Sequence, residues 1–293
     1  MTVHADGGLI CPYCGSKLQF KDKDLREYKE FRNKLLTYLR AVADTSAEAH
    51  AKADEIWGMS ETVHYETDTG SAVTLKFLYS ADYGDAVMYV ARTSVVYVFD
   101  KNHVSKASDM LERIGLLRYP EADVKNLAKN FPALKGSYSL KNGGRLLIFY
   151  KPEEVYPLAM FGNLSARDAA WIVSRMENFC AVLKFSELCS GGIGIDSVLI
   201  DPRTHEAMLM GPWWNAHRMS LREGSREDLL GVRRVAKLIL GSEIGSAPKA
   251  FVEFIGSKPK ADAFADFEYW DEVIDKGFGG RSFAKFDIDK NLK

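Results

Sequence analysis

Cys11-Pro12-Tyr13-Cys14-Gly15 is the first place in this chain where residue type and spacing together could do chemistry. Two thiols at this spacing can face one ion, and Gly15 permits the tight turn beneath it. The segment is half of a zinc site. His4 is the candidate third ligand, and no second CxxC completes the set. A structural knuckle without metal is the alternative. A redox pair is the weakest reading, because no βαβ pattern surrounds it. Cys180, Cys189, His50 or His64 could join only through the fold. Further along, Gly192-Ile193-Gly194 imitates part of a dinucleotide fingerprint. It lacks the third glycine and the preceding long strand, so a turn is expected. Trp213-Trp214 could stack a base or bind a partner, but large aromatic pairs usually anchor cores, and packing is expected.

The chain has 293 residues, 46% of them hydrophobic and 27% charged, which suits a soluble protein with a substantial core. Its formal net charge of −1 supplies no global attraction to nucleic acid or acidic membrane. Residues 21–40 carry seven Lys/Arg against four Asp/Glu, and 217–237 carry six against three. Both read as solvated helix faces. Four cysteines are too few for a secreted disulfide scaffold of this size. No apolar run reaches the roughly 18 residues of a membrane span, and 1–8 lacks a basic-then-apolar signal pattern. A cytoplasmic protein with no membrane partner is expected.

The elements that must position these groups follow from periodicity. A turn-rich unit covers 1–20. Asp24 and Glu27 start a helix over 22–43, with Leu25, Tyr28, Phe31, Leu35, Leu39 and Val42 on one stripe. A second helix over 46–57 completes a hairpin whose stripe should pack on the main domain or on a partner. Strands are predicted over 71–79, 86–93 and 95–99, with 80–85 linking the first two. A helix over 105–117 follows, then strands 134–140 and 145–150 around the Asn142-Gly143-Gly144 turn. After an extended Lys151-Pro152-Glu153 connection, a long helix over 165–185 opens on Ser165 with Asp168 at its third position. Two short apolar runs, 198–200 and 207–210, precede helices near 228–240, 248–255 and 261–277.

This order resembles a divergent protein kinase-like domain over 61–286, most like kinase-like proteins of phages and bacteria. The likeness is carried by Ala169-Ala170-Trp171-Ile172, Val198-Leu199-Ile200-Asp201-Pro202, Met208-Leu209-Met210-Gly211-Pro212-Trp213-Trp214 and Gly280-Arg281-Ser282-Phe283. It implies an α+β, two-lobed kinase-like fold: a CxxC segment over 1–20, a helical hairpin over 21–60, a β-rich small lobe over 61–150 and a helical lobe over 151–293. The same resemblance puts Gly192 where the family keeps its catalytic carboxylate, Ser197 at the metal-binding Asn and Gly211 at the second metal-binding Asp. Phosphoryl transfer depends on a positioned base and on oxygen ligands for magnesium. The third small-lobe strand has no internal Lys; Lys101 lies just beyond it. Glu112 is the nearest acid on the helix, only Gly84 remains of the glycine-rich loop, and Asp196 and Asp201 lie beside the degenerate loop.

A catalytically inactive pseudokinase follows from this resemblance, a protein-interaction or scaffold module in the cytoplasm, the host cytoplasm if it is phage-encoded as the resemblance implies. A protein partner or self-association is expected, with zinc at Cys11, Cys14 and His4 and without ATP or magnesium. Two alternatives stand beside it. One is a nucleotide-binding enzyme with non-standard phosphoryl or nucleotidyl chemistry at Lys101, Glu112, Asp196 and Asp201. The other is a zinc-containing nucleic-acid adaptor reading through the CxxC unit and the basic 21–40 helix.

Overall fold

The structure, a computed structural model, describes residues 2–3, 8–10, 17–19, 30, 33–34, 36–42, 44–161, 163–220, 224–282 and 285–286. The chain opens with three short strands, β1 (Thr2–Val3), β2 (Gly8–Ile10) and β3 (Lys17–Gln19), paired antiparallel in that order. Cys11, Cys14 and His4, like the helix start expected at Asp24 and Glu27, lie outside the described residues.

A helical stretch over 36–42 (α1) and helix α2 (Ala47–Gly58) form the predicted hairpin. Ser46 caps α2 by accepting from the Ala49 N–H. The hairpin stripe is buried in the main core through Leu36, Tyr38, Leu39, Val42, Ala53 and Ile56. Of the expected stripe, Leu39 and Val42 pack on the main domain, and Leu25, Tyr28, Phe31 and Leu35 lie outside the described residues.

Two strands, β4 (Glu61–Glu66) and β5 (Ala72–Phe77), then pair only with each other. The five-stranded sheet begins at β6 (Tyr79–Asp82) and continues through β7 (Ala86–Val90) and β8 (Ser94–Phe99). Helix α3 (Val104–Gly115) and a short helix α4 (Val124–Ala128) precede β9 (Leu134–Ser139) and β10 (Arg145–Tyr150). Sheet order is β6-β7-β8-β10-β9. This corrects one expectation: 71–79 is not the first strand of the sheet, and the supposed link over 80–85 contains most of that strand. The β4–β5 hairpin instead covers the sheet's second face, where Leu75 packs with Val96, Leu140 and Leu146. Both faces of β8 are therefore covered. That explains the unbroken apolar run Val95-Val96-Tyr97-Val98-Phe99, which alternation alone would not produce.

Residues 151–155 carry the chain from the sheet to the helices, and Lys151 is completely buried there. Its Nζ donates to the carbonyls of Pro152 (2.7 Å), Glu153 (3.1 Å) and Val155 (2.8 Å) and lies 4.9 Å from the Tyr156 ring centre. Burial pulls this amine down to about 7. The three acceptors match the three protons of an ammonium and hold the charged form. The α1–α2 hairpin grips the same connection from outside. Tyr38 packs edge-on against Tyr156, and the Glu153 carboxylate accepts from Tyr38 Oη (3.2 Å) and Arg92 Nε (2.5 Å). Arg92 also pairs with Asp54 of α2 at 2.6 Å.

The helical lobe is built on α5 (Ala166–Phe185), capped by Ser165 as the sequence predicts. Before it, β11 (Tyr156–Pro157) joins a small sheet with β13 (Val198–Asp201) and β14 (Glu206–Leu209). A second pair, β12 (Leu188–Cys189) with β15 (His217–Arg218), ties the segment after Trp214 back to the end of α5. Helices α6 (Arg226–Leu240), α7 (Lys249–Gly256) and α8 (Ala263–Phe278) complete the lobe. No helix among the described residues is long and apolar enough to cross a membrane.

Candidate functional site: the cleft between sheet and helices

Gly192 and Ser197 lie in the loop before β13, and the β13–β14 hairpin brings Gly211, just past β14, back against them. Ser197 Oγ accepts from the Gly194 N–H at 2.8 Å and lies 3.2 Å from the Gly192 carbonyl. A Cβ placed on Gly211 would lie 2.8 Å from Ser197 Cβ and 3.3 Å from the Gly192 oxygen. The loop and the end of β14 thus press backbone to backbone, an approach that only a glycine at 211 permits. Gly211→Ala should cost about 1–3 kcal/mol through overpacking. Urea unfolding with an unchanged m-value reads that loss directly, and an unchanged midpoint would disprove the tight approach.

Asp228 at the start of α6 anchors this loop. Its carboxylate accepts from the Ser190 N–H (3.1 and 3.2 Å) and from Ser190 Oγ (2.5 Å). The group is 1% exposed, and burial pushes it up to about 6 against the lowering effect of the Ser190 donors.

Three polar links cross from sheet to helical lobe. Tyr79 Oη of β6 donates to Asp196 Oδ1 at 2.5 Å. Tyr97 Oη of β8 bonds to the carbonyls of Met210 and Gly211. Trp214 Nε1 donates to Asp85 Oδ2 at 2.9 Å, in the turn between β6 and β7. The Trp214 ring, 4% exposed, stands edge-on to Tyr83 (5.8 Å), Tyr97 (5.8 Å) and Phe99 (5.2 Å). Helix α3 packs against the Trp213–Asn215 turn. The space beneath the sheet is thus filled by aromatic side chains, and packing is the role that Trp213-Trp214 takes.

The remaining sequence candidates go to four separate sets of partners. Lys101 is exposed past the end of β8, beside the β9–β10 turn, where a Cβ on Gly143 would lie 3.4 Å from Lys101 Cβ. Glu112 on α3 pairs with its neighbour Arg113 at 3.2 Å. Asp196 holds Tyr79. Asp201 closes the β13–β14 turn by accepting from the Arg203 N–H (2.8 Å) and Thr204 Oγ1 (2.8 Å). Among the described residues no group of three or more His, Cys, Asp or Glu side chains could hold a metal ion. Cys180 and Cys189 are both buried, and Cys189 Sγ lies 3.4 Å from the Gly224 carbonyl.

Sequence reasoning missed Tyr97 and Asp228. Tyr97 sits in the strand where a lysine was sought, and a tyrosine in an apolar run reads as core. Asp228 lies at a helix start, where an acid is routine.

No protein-family model and no curated protein matches the chain. Solved structures do. The chain is similar to vaccinia related kinase 3 with a TM-score of 0.51 and 11% identity, over 72% of this chain and 91% of that one. It also matches a ROP18 kinase domain (TM-score 0.45, 11% identity, 82% and 94% coverage) and the BubR1 kinase domain (0.45, 10%, 61% and 65%). At such identity the first of these likenesses speaks for the fold alone. The chain has the two-lobed, α+β protein kinase-like fold, with the cleft just described between its lobes.

Proposed function

We propose that this chain is a catalytically inactive kinase-like protein, a pseudokinase, that works through protein contacts as a scaffold. The observation that carries this reading is the cleft. Trp214 and its aromatic neighbours fill it, and the three positions that would hold base and metal ligands carry Gly192, Ser197 and Gly211. Phosphoryl transfer is mostly positioning and charge stabilisation by metal and base, and none of those three residues brings a carboxylate or an amide. A fold carries activity only through its site. Zinc at Cys11, Cys14 and His4, and the phage origin implied by the resemblance, belong to the same proposal.

Calorimetric titration of the purified chain with ATP and magnesium tests it, with metal content measured on the same sample. The expected result is no saturable heat and no phosphate release, with zinc present. Magnesium-dependent binding with turnover that Asp196→Ala abolishes would overturn the reading and favour the nucleotide-binding enzyme.

A further inference from the structure

A cavity of about 320 Å³ opens between α5, the β13–β14 turn, α8 and the residues after it. That volume is at the lower end for small-molecule sites, roughly 300–1,000 Å³. None of its lining residues belongs to the cleft.

Three arginines line it, Arg167, Arg175 and Arg281, and no acidic residue does so among the described residues. Arg281 is paired with Asp271. Arg167 donates to Ser282 Oγ at 3.0 Å and lies 5.9 Å from the Phe278 ring centre. Arg175 Nε donates to the His205 carbonyl at 2.6 Å, which fixes its head. Neither Arg167 nor Arg175 makes an ion pair among the described residues. Burial pulls Arg175 down from its ordinary value; Glu206 opposes this, and the nearby Arg281 adds to it. Glu206 is itself paired with Lys129. Among the described residues, Arg167 and Arg175 are left without an ion-paired carboxylate. The Trp171 indole N–H, behind the wall, is buried with no acceptor among the described residues. The Trp171 ring is held rigidly, stacked on His205 at 4.4 Å and 4°.

We propose that this cavity binds a phosphate monoester carried on a small apolar or aromatic body. Guanidinium groups grip phosphate oxygens with paired N–H donors. A monoester carries about −1.5 to −2 at pH 7, which matches the two unbalanced cations better than a single carboxylate does. Ile274 and Phe278 supply the apolar wall for the organic part.

Calorimetry on the full chain, with phenyl phosphate, inorganic phosphate and benzoate at matched ionic strength, tests this. Phenyl phosphate is expected to saturate one site. The Arg167→Gln, Arg175→Gln double variant should weaken it by about tenfold or more, as loss of charge-assisted hydrogen bonds requires. No saturable binding at millimolar phenyl phosphate overturns the proposal, as does equal affinity in the folded double variant. Benzoate binding as tightly as phenyl phosphate overturns the phosphate assignment, and inorganic phosphate doing so overturns the organic body.

Discussion

Arg233→Met is expected to cost about 3–5 kcal/mol at neutral pH, the usual range when one partner of a buried ion pair is removed. Arg233 is 4% exposed and binds Glu177 at 3.1 Å and Asp266 at 2.6 Å, both of them fully buried. Its guanidinium also lies 3.6 Å from the Phe254 ring centre. Methionine fills similar space but leaves the buried acidic side chains of Glu177 and Asp266 side by side without a cation. Chemical unfolding measures the loss, and a change below about 1 kcal/mol would show that the triad is not held as described.

The same triad sets a pH dependence. Burial, with Asp266 beside it, pushes Glu177 up to about 8, and Arg233 opposes this only in part. Glu177 therefore keeps its proton in the folded protein where the unfolded chain, near 4.5, has lost it. The folded state binds more protons between those values, so its stability is fully present below about 4.5 and falls as pH rises toward about 8. Glu177→Gln should remove that slope.

Trp214→Ala is the second large effect, with an expected loss of about 3–5 kcal/mol from the cavity and the lost contacts. Domains of this kind have about 5–15 kcal/mol in total. The substitution removes three edge-on ring contacts and the bond to Asp85, all of which join sheet to helices. Its effect should exceed a simple drop in stability. With the seam weakened, the lobes should unfold separately, and the calorimetric enthalpy should exceed the van't Hoff value. A single cooperative transition at the wild-type temperature would refute the claim that Trp214 couples the lobes.

Local patterns announced much of this architecture. Ser165 and Asp168 marked the start of α5, and the Asn142-Gly143-Gly144 turn placed β9 and β10. The run through Tyr97 marked a buried strand. The convergence of Gly192, Ser197 and Gly211 was legible only through the order of helix, loop and strands. What stayed hidden depends on long-range partners. Strand β6 has four residues, too few for alternation to show, and its place is set by pairing with β7. The β4–β5 hairpin reads like any other strand pair, and nothing in its own residues says that it covers a second face. Arg233, Glu177 and Asp266 sit on three helices, so no spacing rule links them. Lys151 looked like a polar residue in an extended connection, because carbonyl acceptors leave no trace in side-chain identity. The Arg167, Arg175 and Arg281 cavity escaped for the same reason.

The close approach at Gly211 also governs which mutational paths are open to this chain. Glycine and aspartate codons differ by one base, so an acid at 211 is a common mutational event. It would arrive against Ser197 Cβ, 2.8 Å from where its own Cβ must go. Asparagine at 197 does not relieve the conflict, because it keeps the same Cβ. Glycine at 197 does, but it gives up the hydroxyl that holds the Gly194 N–H. Either order of substitution passes through a weakened protein, and a ligand pair at 197 and 211 requires the two backbones to separate first. Side-chain changes alone are therefore a closed route to metal binding here, and selection on single substitutions would act on the rest of the molecule instead.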